Sequence, residues 1–250
     1  MLASIDCYTK ELEQYRPFEA ELLPEIKAYY RVGLTYSSTA LEGFSYTESE
    51  TKVLLEEGLI VGGKPLRDAL AVTGHAKAYD YMFSLLHQDG ITVENILFMH
   101  SLLEGGLESG TAGQWRTKQV FVTGSDFVFP AAAVIEQQMQ NFSAWLEQAS
   151  TTMHPVTFAV KVHLNLVSIH PFVDGNGRIA RLAMNTVLIQ HGYLPLLVPP
   201  LLRAEYIAAI QKAQTKRIEN DFLDFMYRRE VEICKEMLRL LKGSKDVPLF

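Results

Sequence analysis

Two neighbouring stretches carry the strongest hydrophobic patterns in the chain. Across residues 155 to 169 most positions are apolar or small (Val156, Ala159, Val162, Leu166, Val167, Ile169), which predicts a helix buried on most of its sides. Across residues 178 to 190, Ile179, Leu182, Ala183, Thr186 and Ile189 recur with a 3.6-residue period and predict a second helix. Between them stand Pro171, Asp174 and the triplet Gly175-Asn176-Gly177, which no helix interior accommodates. The join is therefore a tight loop opening directly onto a helix start. Elsewhere residues 9 to 23, broken by Pro17, read as an N-terminal cover, and helical spacing runs from Pro24 to a stop at Gly43. Thr47 to Glu50 forms a capping box for a short helix ending near Gly58, and Pro65 begins a helix reaching about Leu86. Thr92 caps a helix through Leu103, with Ile96, Met99 and His100 on its buried side. Further helices are expected over 135 to 148, 203 to 215 and 220 to 241. The β-rich runs 119 to 123 and 127 to 129 flank Gly124-Ser125-Asp126 and predict one hairpin. The expected class is all-α, with that small β-hairpin.

Composition narrows the setting. With 250 residues, 48% hydrophobic and 21% charged, the chain has material for an ample core and reads as a soluble globular protein. A net charge of -6 argues against a nucleic-acid partner held by bulk electrostatics. Cys7 and Cys234 supply neither a disulfide framework nor zinc spacing, so a reducing cytoplasm is the expected location. Residues 1 to 6 are too short and acidic for a signal peptide, and no apolar run is long enough to span a membrane. Gly58 to Lys64 imitates a phosphate-binding Walker loop, but Pro65 stands where a magnesium-binding hydroxyl is needed. Ser49-x-x-Lys52 likewise lacks the companions of a β-lactamase site.

The loop at 170 to 178 has chemical consequences of its own. The first turn of a helix leaves backbone N–H groups without partners and carries partial positive charge, so it seats anions. Gly175 and Gly177 allow close approach of such an anion, and Arg178 and Arg181 add fixed charge one turn apart, a fit for a polyphosphate. Asp174 sits badly beside phosphates unless a divalent cation such as magnesium bridges them. His170, at the end of the preceding helix, can take a proton near neutral pH. A second acid is also oddly placed: Glu42 lies in the last turn of its predicted helix, where its charge opposes the macrodipole.

The run His170-Pro171-Phe172-Val173-Asp174-Gly175-Asn176-Gly177-Arg178-Ile179-Ala180-Arg181 resembles the signature of Fic-domain proteins, His-x-Phe-x-Asp/Glu-Gly-Asn-Gly-Arg-x-x-Arg, at all eight specified positions. The resemblance implies the Fic/Fido fold, with the hairpin as a flap over the site, and transfer of AMP from Mg-ATP to a Ser, Thr or Tyr hydroxyl of a target protein, this chain itself included. It implies His170 as the base, Asp174 as the Mg2+ ligand and Gly175, Asn176 and Gly177 around the α- and β-phosphates. Arg178 would support that anion hole, Arg181 would meet the γ-phosphate, and Phe172 would point into the core. Ser38 to Gly43 resembles the inhibitory Ser/Thr-x-x-x-Glu-Gly/Asn motif of the class II arrangement. Glu42 would then pair with Arg181 and block the γ-phosphate, with Ser38 steadying the helix. Gly113 to Arg116 resembles the segment preceding the flap, making Lys118, Val120 and Val122 the expected target-docking residues. Tyr206 is read as packing or as lining the nucleobase side.

The implied organisation is an N-terminal cover over 1 to 34, a Fic domain over 35 to 215 and a C-terminal helix of the same domain over 216 to 250. Two other readings use the same seat: a hydrolase removing AMP with Glu42 placing water, and a nucleotide-sensing regulator without turnover. A DNA-binding winged helix does not fit into residues 215 to 250, and the oligomeric state, homodimer included, is left open.

Overall fold

Local signals set most of the helix ends in the computed structural model, which describes residues 1–16, 22–107, 110–121 and 126–245. The helices are α1 (Leu2–Glu13), α2 (Leu22–Leu41), α3 (Glu48–Glu57), α4 (Leu66–Ser84), α5 (Val93–Glu104), α6 (Ile135–Thr152), α7 (Pro155–Ile169), α8 (Asn176–Gln190), α9 (Arg203–Lys216) and α10 (Asn220–Lys245). Thr47 and Thr92 each close a capping box, with Glu50 and Asn95, and so fix the starts of α3 and α5. Gly58 ends α3 in the left-handed conformation. Among the described residues there is no strand, and no helix is long and apolar enough to cross a membrane.

α7 and α8 pack as an antiparallel pair at the centre, surrounded by α2, α4, α5, α6 and α10. Every residue of α8 from Arg178 to Ile189 is buried. The one-faced periodicity of the sequence thus understates the burial of α8, because its polar residues find internal partners. Asn185, for example, accepts from Leu196 N–H at 2.6 Å and donates to Leu196 O at 3.0 Å, tying the segment after α8 back onto it.

The N-terminal region departs from expectation. α1 runs from Leu2 to Glu13, so it begins ahead of the stretch 9 to 23 read as a cover, and it packs on α10. Pro17 lies outside the described residues. α2 starts two residues before Pro24, a place in the first turn where proline costs no hydrogen bond. The expected boundary between residues 34 and 35 falls inside α2, so the cover and the inhibitory segment share one helix. Of the expected hairpin, residues 119–121 and 126–131 take neither helix nor strand form and are tied by Gln119 Nε2 donating to Phe129 O at 3.3 Å. No ladder forms among the described residues. Val122 and the first two turn residues, Gly124 and Ser125, lie outside them, as do residues 247–250.

Candidate active site at the start of α8

The loop between α7 and α8 is held by its own side chains. His170 ends α7 at φ 53°, a left-handed conformation rare for a residue with a β-carbon, and this reverses the chain. Asn176 then staples the loop shut, accepting from Phe172 N–H at 2.9 Å and donating to Phe172 O at 3.0 Å. Both polar atoms of its side chain are thereby engaged by the loop. Phe172 is fully buried, as expected, and stacks on His100 with ring centroids 3.7 Å apart.

His100 is a support that the sequence places on a buried face without revealing its task. Its Nδ1 accepts from Gly113 N–H at 2.8 Å, which leaves Nε2 to carry the proton and donate to Asp174 O at 3.1 Å. Burial pushes its pKa down to about 4, so the ring is neutral and that tautomer persists.

The seat itself follows. Gly175 stands at the N-cap of α8 with φ 77°, and no side chain caps the first turn. Asp174 turns one carboxylate oxygen to Gly175 N–H at 2.6 Å, while its side chain stays half exposed. The two arginines, read from sequence as a charged flank, are both buried, Arg178 at 1% and Arg181 at 5% exposure. Arg181 is fully engaged by α2 and α9. It donates through Nε to Ser38 Oγ at 2.9 Å, through Nη2 to Ser38 O at 2.9 Å and to Glu42 Oε1 at 2.6 Å, and through Nη1 to the Tyr206 hydroxyl at 3.3 Å. The Glu42 carboxylate lies directly over Gly177, where an added β-carbon would collide with its Oε1. An internal carboxylate therefore rests on the anion seat.

Arg178 has different company. Its Nη2 lies 2.9 Å from Glu104 Oε1 and 3.4 Å from Asp174 Oδ1, and its guanidinium covers the Phe44 ring at 5.0 Å. Its Nε and Nη1 are buried with no partner among the described residues. Glu104 was missed at the sequence level, although it carries the signal that singles out Glu42: an acid in the last turn of a helix, against the macrodipole.

His170 is more than half buried; its ring packs on Phe129 with centroids 4.3 Å apart, and its Nδ1 is 3.4 Å from Val167 O. Burial pushes its pKa down to about 4, leaving the imidazole neutral and able to accept a proton at pH 7. Arg116, expected only as part of the segment before the flap, is a clamp. It donates from its backbone N–H to Pro171 O at 2.9 Å and from Nε to His170 O at 2.8 Å. Its Nη1 and Nη2 reach Lys118 O at 3.1 Å and Pro130 O at 2.5 Å. One side chain thus ties the His170 turn to both arms of the expected flap. Lys118 is exposed and Val120 half-buried on one arm, and Val122 lies outside the described residues. Tyr206 is fully buried between His163 and Arg181, which is the packing alternative for this residue.

The Fic/DOC family pattern matches residues 90–188. Protein adenylyltransferase Fic of Drosophila melanogaster is 36% identical over 217 residues, covering 85% of this chain and 42% of that protein. The chain thus spans less than half the length of such curated relatives. The structure of Fic-1 (aa134 - 508) from C. elegans superposes with a TM-score of 0.88 at 28% identity, over 98% of this chain and 72% of that one. A Fic domain containing signaling protein from Bacteroides thetaiotaomicron shares the fold at 21% identity, with a TM-score of 0.85 over 96% of this chain and 97% of that one.

Proposed function

The chain is a Fic-domain protein, and from that premise we propose that it transfers AMP from Mg-ATP to a hydroxyl of a target protein, held in check by Glu42. The observation that carries the reading is the neutral His170 beside an uncapped helix start whose anion seat is filled by the chain's own carboxylate. A site built for anions, with a base next to it and a removable internal anion on it, suits phosphate chemistry under restraint.

In the proposed reaction the target hydroxyl gives its proton to His170 while its oxygen bonds to the α-phosphorus. The bond from that phosphorus to the bridging oxygen breaks on the opposite side, and pyrophosphate leaves. The first-turn N–H groups of α8 hold phosphate oxygens, and the Arg178 N–H groups that lack partners supply further donors. The donor set also fits a magnesium ion. Asp174 is a single half-exposed carboxylate at the mouth of the seat, and magnesium bound to nucleotides commonly takes one or two carboxylates beside phosphate oxygens. Bound there, the ion would offset charge on the phosphates. Arg116 holds the backbone of His170, and with it the position of the base.

Glu42 blocks this by occupying the guanidinium of Arg181 and the space over Gly177. A charge-assisted bond contributes about 1.5 to 3 kcal/mol, with the lower end fitting a side chain 36% exposed. That is roughly tenfold in an equilibrium. Incubation with labelled ATP tests the reading. Glu42→Gly is expected to raise label transfer by about tenfold or more, and His170→Ala in that background to abolish it. Undiminished transfer without His170 would remove it as the base, and an unchanged rate in Glu42→Gly would remove the inhibition.

A further inference from the structure

Glu104 ends α5 with its side chain only 2% exposed, pressed against the seat from below. Its Oε1 is 2.9 Å from Arg178 Nη2, and a β-carbon built on Gly175 would come within 2.9 Å of the same oxygen. One carboxylate thus touches both the first glycine of the seat and its first arginine. Arg178 has a second acid within reach, Asp174, whose Oδ1 is 3.4 Å from the same nitrogen and whose side chain is 51% exposed. The two carboxylates therefore compete for one buried guanidinium. The buried partner dominates, because its charge acts through low dielectric while that of Asp174 is screened by water.

We propose that Glu104 is a positioning residue that satisfies Arg178, so that the Asp174 carboxylate remains available to a divalent cation accompanying the nucleotide. The inference rests on the nucleotide-transfer reading given above. A buried acid at the carbonyl end of a helix is unfavourable by itself, and the Arg178 guanidinium at 2.9 Å offsets it. Without the Glu104 charge, Asp174 is the one carboxylate left on Arg178 among the described residues, and the seat gains one net positive charge. Two opposite effects follow: nucleotide without metal binds more tightly, and more metal is needed to improve its binding.

The test is calorimetric binding of ADP, with EDTA and across a magnesium titration, in the Glu42→Gly background. Glu104→Gln, which keeps shape and removes charge, is expected to strengthen metal-free ADP binding by about threefold or more and to raise the magnesium needed for half-maximal effect by a similar factor. Glu104→Asp, which keeps the charge, is expected to stay within about twofold of the parent in both. A role in packing alone would leave Glu104→Gln like the parent or move both variants alike, and either result overturns the proposal. Should the single change unfold the protein by stranding Arg178, Glu104→Gln combined with Arg178→Gln removes both buried charges, a replacement such pairs often tolerate. There the magnesium requirement is expected to be no higher than in the parent, and a higher one overturns the proposal. Absence of any ADP binding by the parent itself would instead remove the underlying nucleotide reading.

Discussion

At the scale of single residues, the burial of histidines decides how the site responds to acid. His170 and His100 are each pushed down to about 4 and His75 to about 3, all chiefly by burial. Their folded values lie below the ordinary value near 6.5, so each favours the folded state fully above about pH 6.5 and loses that contribution as pH falls through about 4. For the proposed transfer, the base form of His170 persists well below neutrality. The Glu42→Gly rate is therefore expected to stay flat from pH 7 to about 5.5, with circular dichroism confirming the fold at each point. A rate halving near pH 6.5 with the fold intact would show that the base titrates like an exposed imidazole. Placement was legible where residue types were tied to spacing: His170 ends α7 just ahead of the α8 start, and Arg181 meets Glu42. It was illegible where a side chain serves geometry: Asn176 closes its own loop, and Arg116 joins the His170 and Pro130 carbonyls, 54 and 14 residues away in sequence. No local pattern announces a partner that only the fold brings near.

At the scale of elements, α2 is the part on which control depends. Its first half is tied to neighbouring helices through Lys27 O accepting from the Tyr79 hydroxyl, Arg31 paired with Asp80, and Tyr29 donating to Glu236 at 3.0 Å. Its second half carries Ser38 and Glu42 onto Arg181. Since the helix is continuous from Leu22 to Leu41, displacing its start tilts its end, and cover and latch move as one body. Ser38→Ala removes the acceptor for Arg181 Nε but leaves the Ser38 carbonyl and Glu42 in place. It is expected to raise label transfer by about threefold, less than Glu42→Gly, and to add nothing in the double variant. A Ser38→Ala rate equal to that of the unchanged chain would mean that the hydroxyl only fills space. Helix starts were readable because capping is local: Thr47, Thr92 and Pro65 each mark one within a residue. The end of α1 was less readable, because the apolar spacing over residues 9 to 23 does not show the chain turning away at residues 14 and 15, just past Glu13.

At the scale of the whole molecule, a second buried acid sets the alkaline side of stability. Glu230 of α10 is fully buried, and neither of its oxygens has a partner among the described residues. Tyr30 of α2 and Tyr193 of the chain after α8 face it, together with Arg229 and Cys234 of its own helix. Burial pushes its carboxyl up to about 8, against an ordinary value of 4.5, with Arg229 only partly opposing the rise. The folded protein therefore holds a proton that the unfolded chain releases above pH 4.5. The resulting stabilisation is complete below that pH and is lost progressively as pH rises through about 8. Histidines and glutamate act from opposite sides, and because their ranges overlap from about pH 4.5 to 6.5, three histidines against one glutamate place the maximum for these groups near pH 6.5. The pattern of α10 places Glu230 on its apolar stripe, one turn from Met226 and Tyr227 on one side and from Ile233 and Cys234 on the other, which sets it apart from the acids of the solvent face; its full burial comes with α1 and α2 packing over that stripe. Glu230→Gln keeps the shape and cannot ionise. Its melting temperature is expected to exceed that of the parent by about 5 °C or more at pH 8.5, and to match it near pH 4.5, where the glutamate is protonated in the fold anyway. An equal difference between variant and parent at both pH values would show that the substitution acts through packing and that the Glu230 carboxyl titrates alike in the folded and unfolded chain.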